Sequence, residues 1–66
     1  MAVIQLTLKE WRRAKGISQK DMADLIGVHV NTYIAWEENP GDIRLDKAVI
    51  ITEKLGISLD DILFTP

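Results

Sequence analysis

Few side chains in this chain could do covalent chemistry. There is one histidine, His29, and no cysteine. The acid pairs Glu37-Glu38 and Asp60-Asp61 read as charge at a helix end and a helix start. No glycine loop could cradle a phosphate, and no His, Asp and Glu cluster has metal-ligand spacing. The expectation is therefore no catalytic residue, no metal, no cofactor and no enzyme. What remains is recognition by hydrogen bonding. Gln19, Lys20, Asn31 and Thr32 are polar groups interleaved with small and apolar residues across positions 18–38.

Those polar groups need a scaffold. Met22, Ala23, Ile26, Gly27, Val28, Tyr33 and Trp36 fall on the inward or turn positions of two short helices folded tightly together. Ala23 sits where the helices cross most closely, so a longer side chain would push them apart. Gly27 ends the first of the two, where a left-handed turn is cheap only for glycine. The others form the core beneath the pair. An ordinary helical hairpin with a glycine turn would satisfy part of this pattern. Seven constrained positions in one short unit favour a bihelical unit that pushes its second helix into a DNA groove.

At 66 residues the chain is expected to be one domain, 1–66. Chains of this size bury only about 60% of their unfolded surface and are marginal alone. Without cysteine, stability must come from helix packing and good caps, with a partner subunit as a further source where one is bound. The apolar runs are too short for a membrane span or a signal-peptide core, and nothing points to secretion. The net charge is −2, awkward for a DNA binder, but it is unevenly spread. Residues 1–20 carry Lys9, Arg12, Arg13, Lys15 and Lys20 against Glu10 alone; residues 21–66 carry Arg44, Lys47 and Lys54 against nine acids. A polyanion could be met by the first part while the second faces away.

Three helix starts share one signature. Thr7, Ser18 and Ser58 each stand three residues before an acid (Glu10, Asp21 and Asp61). Each start is also stapled, Leu6 with Trp11, Ile17 with Met22 and Ile57 with Ile62. The pattern predicts helices over 8–15, 19–26, from 29 or 30 to 38, and 45–55, then a short one over 59–63. Asn39-Pro40-Gly41 is a strong stop. The first helix is expected to bury Leu8, Trp11 and Ala14. The fourth is expected to bury Leu45, Ala48, Ile51, Thr52 and Leu55. Residues 2–6 read as a chain end laid on the core in preference to a strand.

The chain resembles the phage repressor and Cro family, the XRE-type helix-turn-helix proteins. The resemblance lies in Trp11-Arg12, Lys15-Gly16-Ile17-Ser18-Gln19, Met22-Ala23, Leu25-Ile26-Gly27-Val28, Trp36-Glu37 and Leu55-Gly56-Ile57-Ser58-Leu59-Asp60-Asp61-Ile62. It spans residues 6–63 without a gap. It implies an all-α, compact five-helix domain of the lambda-repressor type, with the helix-turn-helix at helices 2 and 3. It implies a dimer on a double-stranded, roughly palindromic operator. By position, Gln19 would hold a phosphate at a helix N-terminus. Val30, Asn31 and Ala35 would face base edges, and Thr32 would reach the backbone. Asn31 can pair bidentately with adenine; Val30 and Ala35 offer only apolar contact, for instance to a thymine methyl. Arg12 and Glu37 would form a buried ion pair. Lys20, Arg13 and Arg44 are further candidates for phosphate contact. The chain departs from the family pattern where Pro40, Gly41 and Asp42 replace basic loop residues. His29 replaces a Ser or Thr cap, and Ile34 stands at a commonly polar position.

One such unit reads only a few base pairs, so a pair is expected. Ile50, Leu63 and Phe64, within a candidate region 50–66, could form a two-fold apolar patch. Alternatively, Leu63 and Phe64 close the base of their own domain against Val3 or Ile4. The rival functional reading keeps the fold but binds a protein, as an antitoxin or anti-repressor would. The acidic balance and the apolar Val30, Ile34 and Ala35 lean that way. Gln19, Lys20, Asn31 and Thr32 lean toward sequence-specific DNA binding and transcriptional repression by occupancy.

Overall fold

The computed structural model describes residues 5–64. A two-residue strand β1 (Leu6–Thr7) leads into α1 (Leu8–Ala14), α2 (Gln19–Ile26), α3 (Val30–Glu38) and α4 (Leu45–Leu55). Short 3₁₀ turns follow α3 at Pro40–Asp42 and α4 at Leu59–Asp61, and the chain then forms β2 (Ile62–Leu63). The strands pair in parallel, Leu6 opposite Ile62 and Thr7 opposite Leu63.

The expected helix starts form, each in its own way. Thr7 makes a reciprocal box: Glu10 N donates to Thr7 Oγ1 at 3.2 Å, and Thr7 N donates to Glu10 Oε1 at 3.0 Å. At Ser18 the hydroxyl accepts from Asp21 N at 3.1 Å. At Ser58 the acid does the work, with Asp61 Oδ2 accepting from Ser58 N at 3.0 Å and from its hydroxyl at 3.2 Å. Helix α2 ends at Gly27, whose φ of 73° is left-handed. There Val28 N reaches back to Ala23 O at 3.0 Å, closing the turn that redirects the chain into α3.

The core gathers Leu8, Met22, Ala23, Ile26, Tyr33, Ile51, Leu55 and Ile62 from every helix and from β2. Ala23 and Tyr33 have no exposed surface. Helix α2 packs against both α3 and α4, while α1 lies against the strand pair. Trp11 Nε1 donates to Asp61 O at 2.7 Å, and Gln5 Nε2 donates to Asp60 O at 3.1 Å. The two ends of the described chain are thus clasped together.

Several expectations are corrected. Among the described residues the fold has four α-helices, not five, and it is not purely α. The helix expected over 59–63 is a single 3₁₀ turn. Ile62 is already extended (φ −101°, ψ 131°) because Leu6 offers it a strand to pair with. By the same pairing, Leu6 belongs to a strand and not to a chain end; residues 2–4, including Val3 and Ile4, lie outside the described residues. Ala14 is exposed, because among the described residues no element covers the outer side of α1's last turn. Leu45 is 69% exposed, because α4 begins beyond the edge of the core. Ala48, Ile51, Thr52 and Leu55 are buried as expected.

Replacing Ala23 with leucine forces three extra heavy atoms into the α2–α3 crossing. Overpacking of this kind costs about 1–3 kcal/mol or more. In a domain this small each kcal/mol lowers the thermal midpoint by about 4–8 °C. Ala23→Leu is therefore expected to melt well below the parent by circular dichroism; an unchanged midpoint rules out the close crossing.

Candidate nucleic-acid interface

Helix α3 has two distinct sides. Tyr33 is buried, and Val30, Trp36 and Glu37 are partly buried beside it. Asn31, Ala35 and Glu38 recur at i, i+4 and i+7, which places them in one stripe on the opposite side. All three are exposed, and Thr32, also exposed, flanks them. The stripe therefore offers an amide, a hydroxyl, a methyl and a carboxylate. From the sequence Glu38 reads only as charge at a helix end, although its spacing from Asn31 already places it in this stripe. Val30 is only half-exposed and packs partly on the core, so its outward reach is shorter than that of Asn31. Ile34 is half-buried.

The start of α3 is held by His29. Its Nδ1 accepts from Asn31 N at 3.0 Å while the residue itself stays exposed. The ring nitrogen thus replaces the Ser or Thr hydroxyl that usually takes the first free amides of a helix.

The back of α3 is held by charge. Arg12 Nε lies 2.5 Å from Glu37 Oε2, with side-chain exposures of 9% and 3%. Arg12 Nη2 donates to Glu37 Oε1 at 3.3 Å, and Nη1 donates to Ile17 O at 2.6 Å. Gln19 Nε2 also donates to Glu37 Oε1, at 2.9 Å. One carboxylate therefore ties α1, the α1–α2 turn and the start of α2 to the recognition side. Burial pushes Glu37 up. Arg12's hydrogen bonds, the Gln19 amide and the charge of Arg12 outweigh that and hold it below the usual carboxylate value. The same carboxylate raises Arg12. Burial, and next the Glu37 carboxylate, keep Tyr33 firmly protonated. The Tyr33 hydroxyl lies near Glu37 without reaching hydrogen-bond geometry to any partner.

Gln19 is half-buried with its side chain turned to Glu37. Of the basic candidates, Lys20 pairs with Asp24 at 3.5 Å and Arg44 with Asp46 at 3.4 Å, all on the surface. Pairs so exposed are worth about 0–1 kcal/mol and are readily exchanged for a phosphate. Arg13 is exposed on the last turn of α1. Ile50 and Phe64 are partly buried against their own core, and Leu63 is half-buried in β2. Among the described residues no group of three or more His, Cys, Asp or Glu could hold a metal, and no helix is long and apolar enough to cross a membrane.

Two short helices crossing over an alanine, joined through a left-handed glycine, with the second clamped from behind and polar in front, define a helix-turn-helix module. A family model described as Helix-turn-helix matches residues 8–62. The chain belongs to this XRE-type family, the family of Cro and CI repressors, and is a DNA-binding regulator of that type. Neither a curated protein nor a solved structure gives a significant match.

Removing one partner of a buried ion pair costs about 3–5 kcal/mol. A 66-residue domain holds about 3–10 kcal/mol in total. Glu37→Gln, which strands the Arg12 charge, is thus expected to lose most of the fold's stability in urea. The pH dependence has a definite sign. Folded Glu37 lies below its ordinary 4.5, so its contribution is complete above that value and fades as pH falls through the folded value. The wild type should lose stability below about pH 4.5 more steeply than Glu37→Gln; parallel profiles would remove Glu37 from the account.

Proposed function

We propose that the chain represses transcription by occupying an operator as a homodimer, with α3 in the major groove of each half-site. The observation that carries this reading is the contrast within α3. Its inner side is locked by Arg12, Glu37 and Gln19, while Asn31, Thr32, Ala35 and Glu38 stand exposed and uncommitted to the fold. A helix held this firmly is a precise probe, and precision matters where discrimination rests on paired hydrogen bonds. Asn31 suits adenine, Ala35 and the outer edge of Val30 suit a thymine methyl, and Glu38 suits the cytosine amino group. Gln19, Lys20, Thr32, Arg13 and Arg44 serve the phosphate backbone.

Dimerisation supplies the second half-site. Leu63 and Phe64 lie at the end of the described chain, and Phe64 borders an open apolar groove of about 310 Å³ with Ile43, Leu45 and Leu59. This groove opens next to Pro40 and Gly41, just past α3. A two-fold contact there would set two copies of α3 side by side, about 34 Å apart along B-DNA. The protein so read is an intracellular, non-enzymatic regulator, controlled by its concentration or by another protein.

Selecting bound duplexes from a random pool tests binding, motif and symmetry together. Asn31→Ala is expected to keep the thermal midpoint and lose preference at one position per half-site, about 1–3 kcal/mol against the wrong base. Unchanged discrimination would take Asn31 off the reading face. In a salt titration, three basic contacts per protomer give a log–log slope of about −5 for the dimer, each contact contributing about 0.9. Lys20→Ala should flatten that slope by about two. Failure to bind any duplex at low salt would instead favour the protein-partner reading, which the acidic surface of residues 21–64 otherwise supports weakly.

A further inference from the structure

Glu37 has one donor more at hand than it uses. Its Oε2 is taken by Arg12 Nε at 2.5 Å. Its Oε1 is held mainly by Gln19 Nε2 at 2.9 Å, with Arg12 Nη2 at a longer 3.3 Å. One turn back on the same side of α3, Tyr33 buries its hydroxyl beside this carboxylate with no hydrogen-bond partner. An unpaired buried hydroxyl is costly and rare, and calls for an explanation. The other oddity is Gln19. It is the first residue of α2, where a phosphate contact belongs, yet its amide is turned inward to Glu37.

The two oddities explain each other. We propose that Gln19 and Tyr33 are alternate donors to Glu37. In the free protein Gln19 occupies Oε1 and the Tyr33 hydroxyl waits unpaired. When a DNA phosphate takes the Gln19 amide, the Tyr33 hydroxyl turns onto Oε1 in its place. No buried carboxylate oxygen is then left short, and the Arg12–Glu37 pair that aims α3 stays intact. Tyr33 is a positioning residue here, acting through Glu37 and not on DNA. The exchange also favours binding, because the bound form satisfies a hydroxyl that the free form leaves bare. This inference rests on the reading of Gln19 as a phosphate contact, but its first half concerns the free protein alone.

Tyr33 is the only tyrosine in the chain, so its ring carbon bearing the hydroxyl gives one unambiguous NMR signal when tyrosine is ¹³C-labelled. In Gln19→Ala, and in the longer donor-free Gln19→Met, that signal is expected to move in the direction of a hydrogen-bonded phenol without any DNA. Adding a mixed-sequence duplex at low salt to the wild type should move it the same way. Tyr33→Phe should leave the urea midpoint of the wild type unchanged or slightly higher, yet lower it in the Gln19→Ala background. It should also weaken duplex affinity about tenfold per protomer, the loss of one hydrogen bond to a charged group. An unmoved signal in both Gln19 variants overturns the exchange, whatever DNA does. A duplex that binds, by gel shift, without moving the signal overturns its use in binding. A duplex that never binds sinks the DNA reading instead, and the Gln19 variants still decide the exchange.

Discussion

The buried carboxylate of Glu37 is the constraint on which the rest depends. Helix α3 buries one side chain completely, Tyr33, with Val30 and Trp36 packed partly against the core beside it. Its orientation comes from an ion pair that is nearly dry and reaches across to α1. Such a pair is no great source of net stability, because two charges had to leave water to make it. Its value lies in geometry. Arg12 also donates from Nη1 to Ile17 O, and that contact fixes the turn from which Ser18 starts α2. One guanidinium therefore sets both helices of the reading unit relative to α1.

Around that clamp the fold is assembled from short-range devices. Caps at Thr7 and Ser18 start helices too short to persist alone. The glycines at 27 and 56 end α2 and α4 with left-handed turns, and the following residues close them. The parallel strand pair and the Trp11–Asp61 bond then bring the last described residues back onto the first. With no disulfide or metal available among these residues, this closure replaces the cross-links on which many chains of this length rely.

Electrostatically the molecule is lean. Its candidate phosphate contacts are few, two are paired with surface acids, and the turn after α3 is Pro40-Gly41-Asp42. On the proposed function this leaves little non-specific attraction to DNA. The proposed discrimination then rests on the stripe on α3 and on pairing two copies, and both demand that α3 be held without play. The buried pair and the weak electrostatic footprint are thus two sides of one arrangement.

Much of this was legible from residue types and spacing. The bounds of α2 and α4, the cap residues, the left-handed Gly27, the buried Ala23 and the positions that form the α3 stripe all follow from local rules. Caps, glycine turns and helical periodicity act within a few residues. What could not be read is everything decided by distant neighbours. Ile62 became a strand because Leu6, far off in the chain, lay beside it. Leu45 stayed in water, although its periodicity matched its buried companions, because none of the described residues packs over it. Gln19 turned inward because folding brought Glu37 within 2.9 Å of it. A sequence specifies which donors and acceptors exist, but which of them meet depends on where the backbone returns. That is a property of the packed chain.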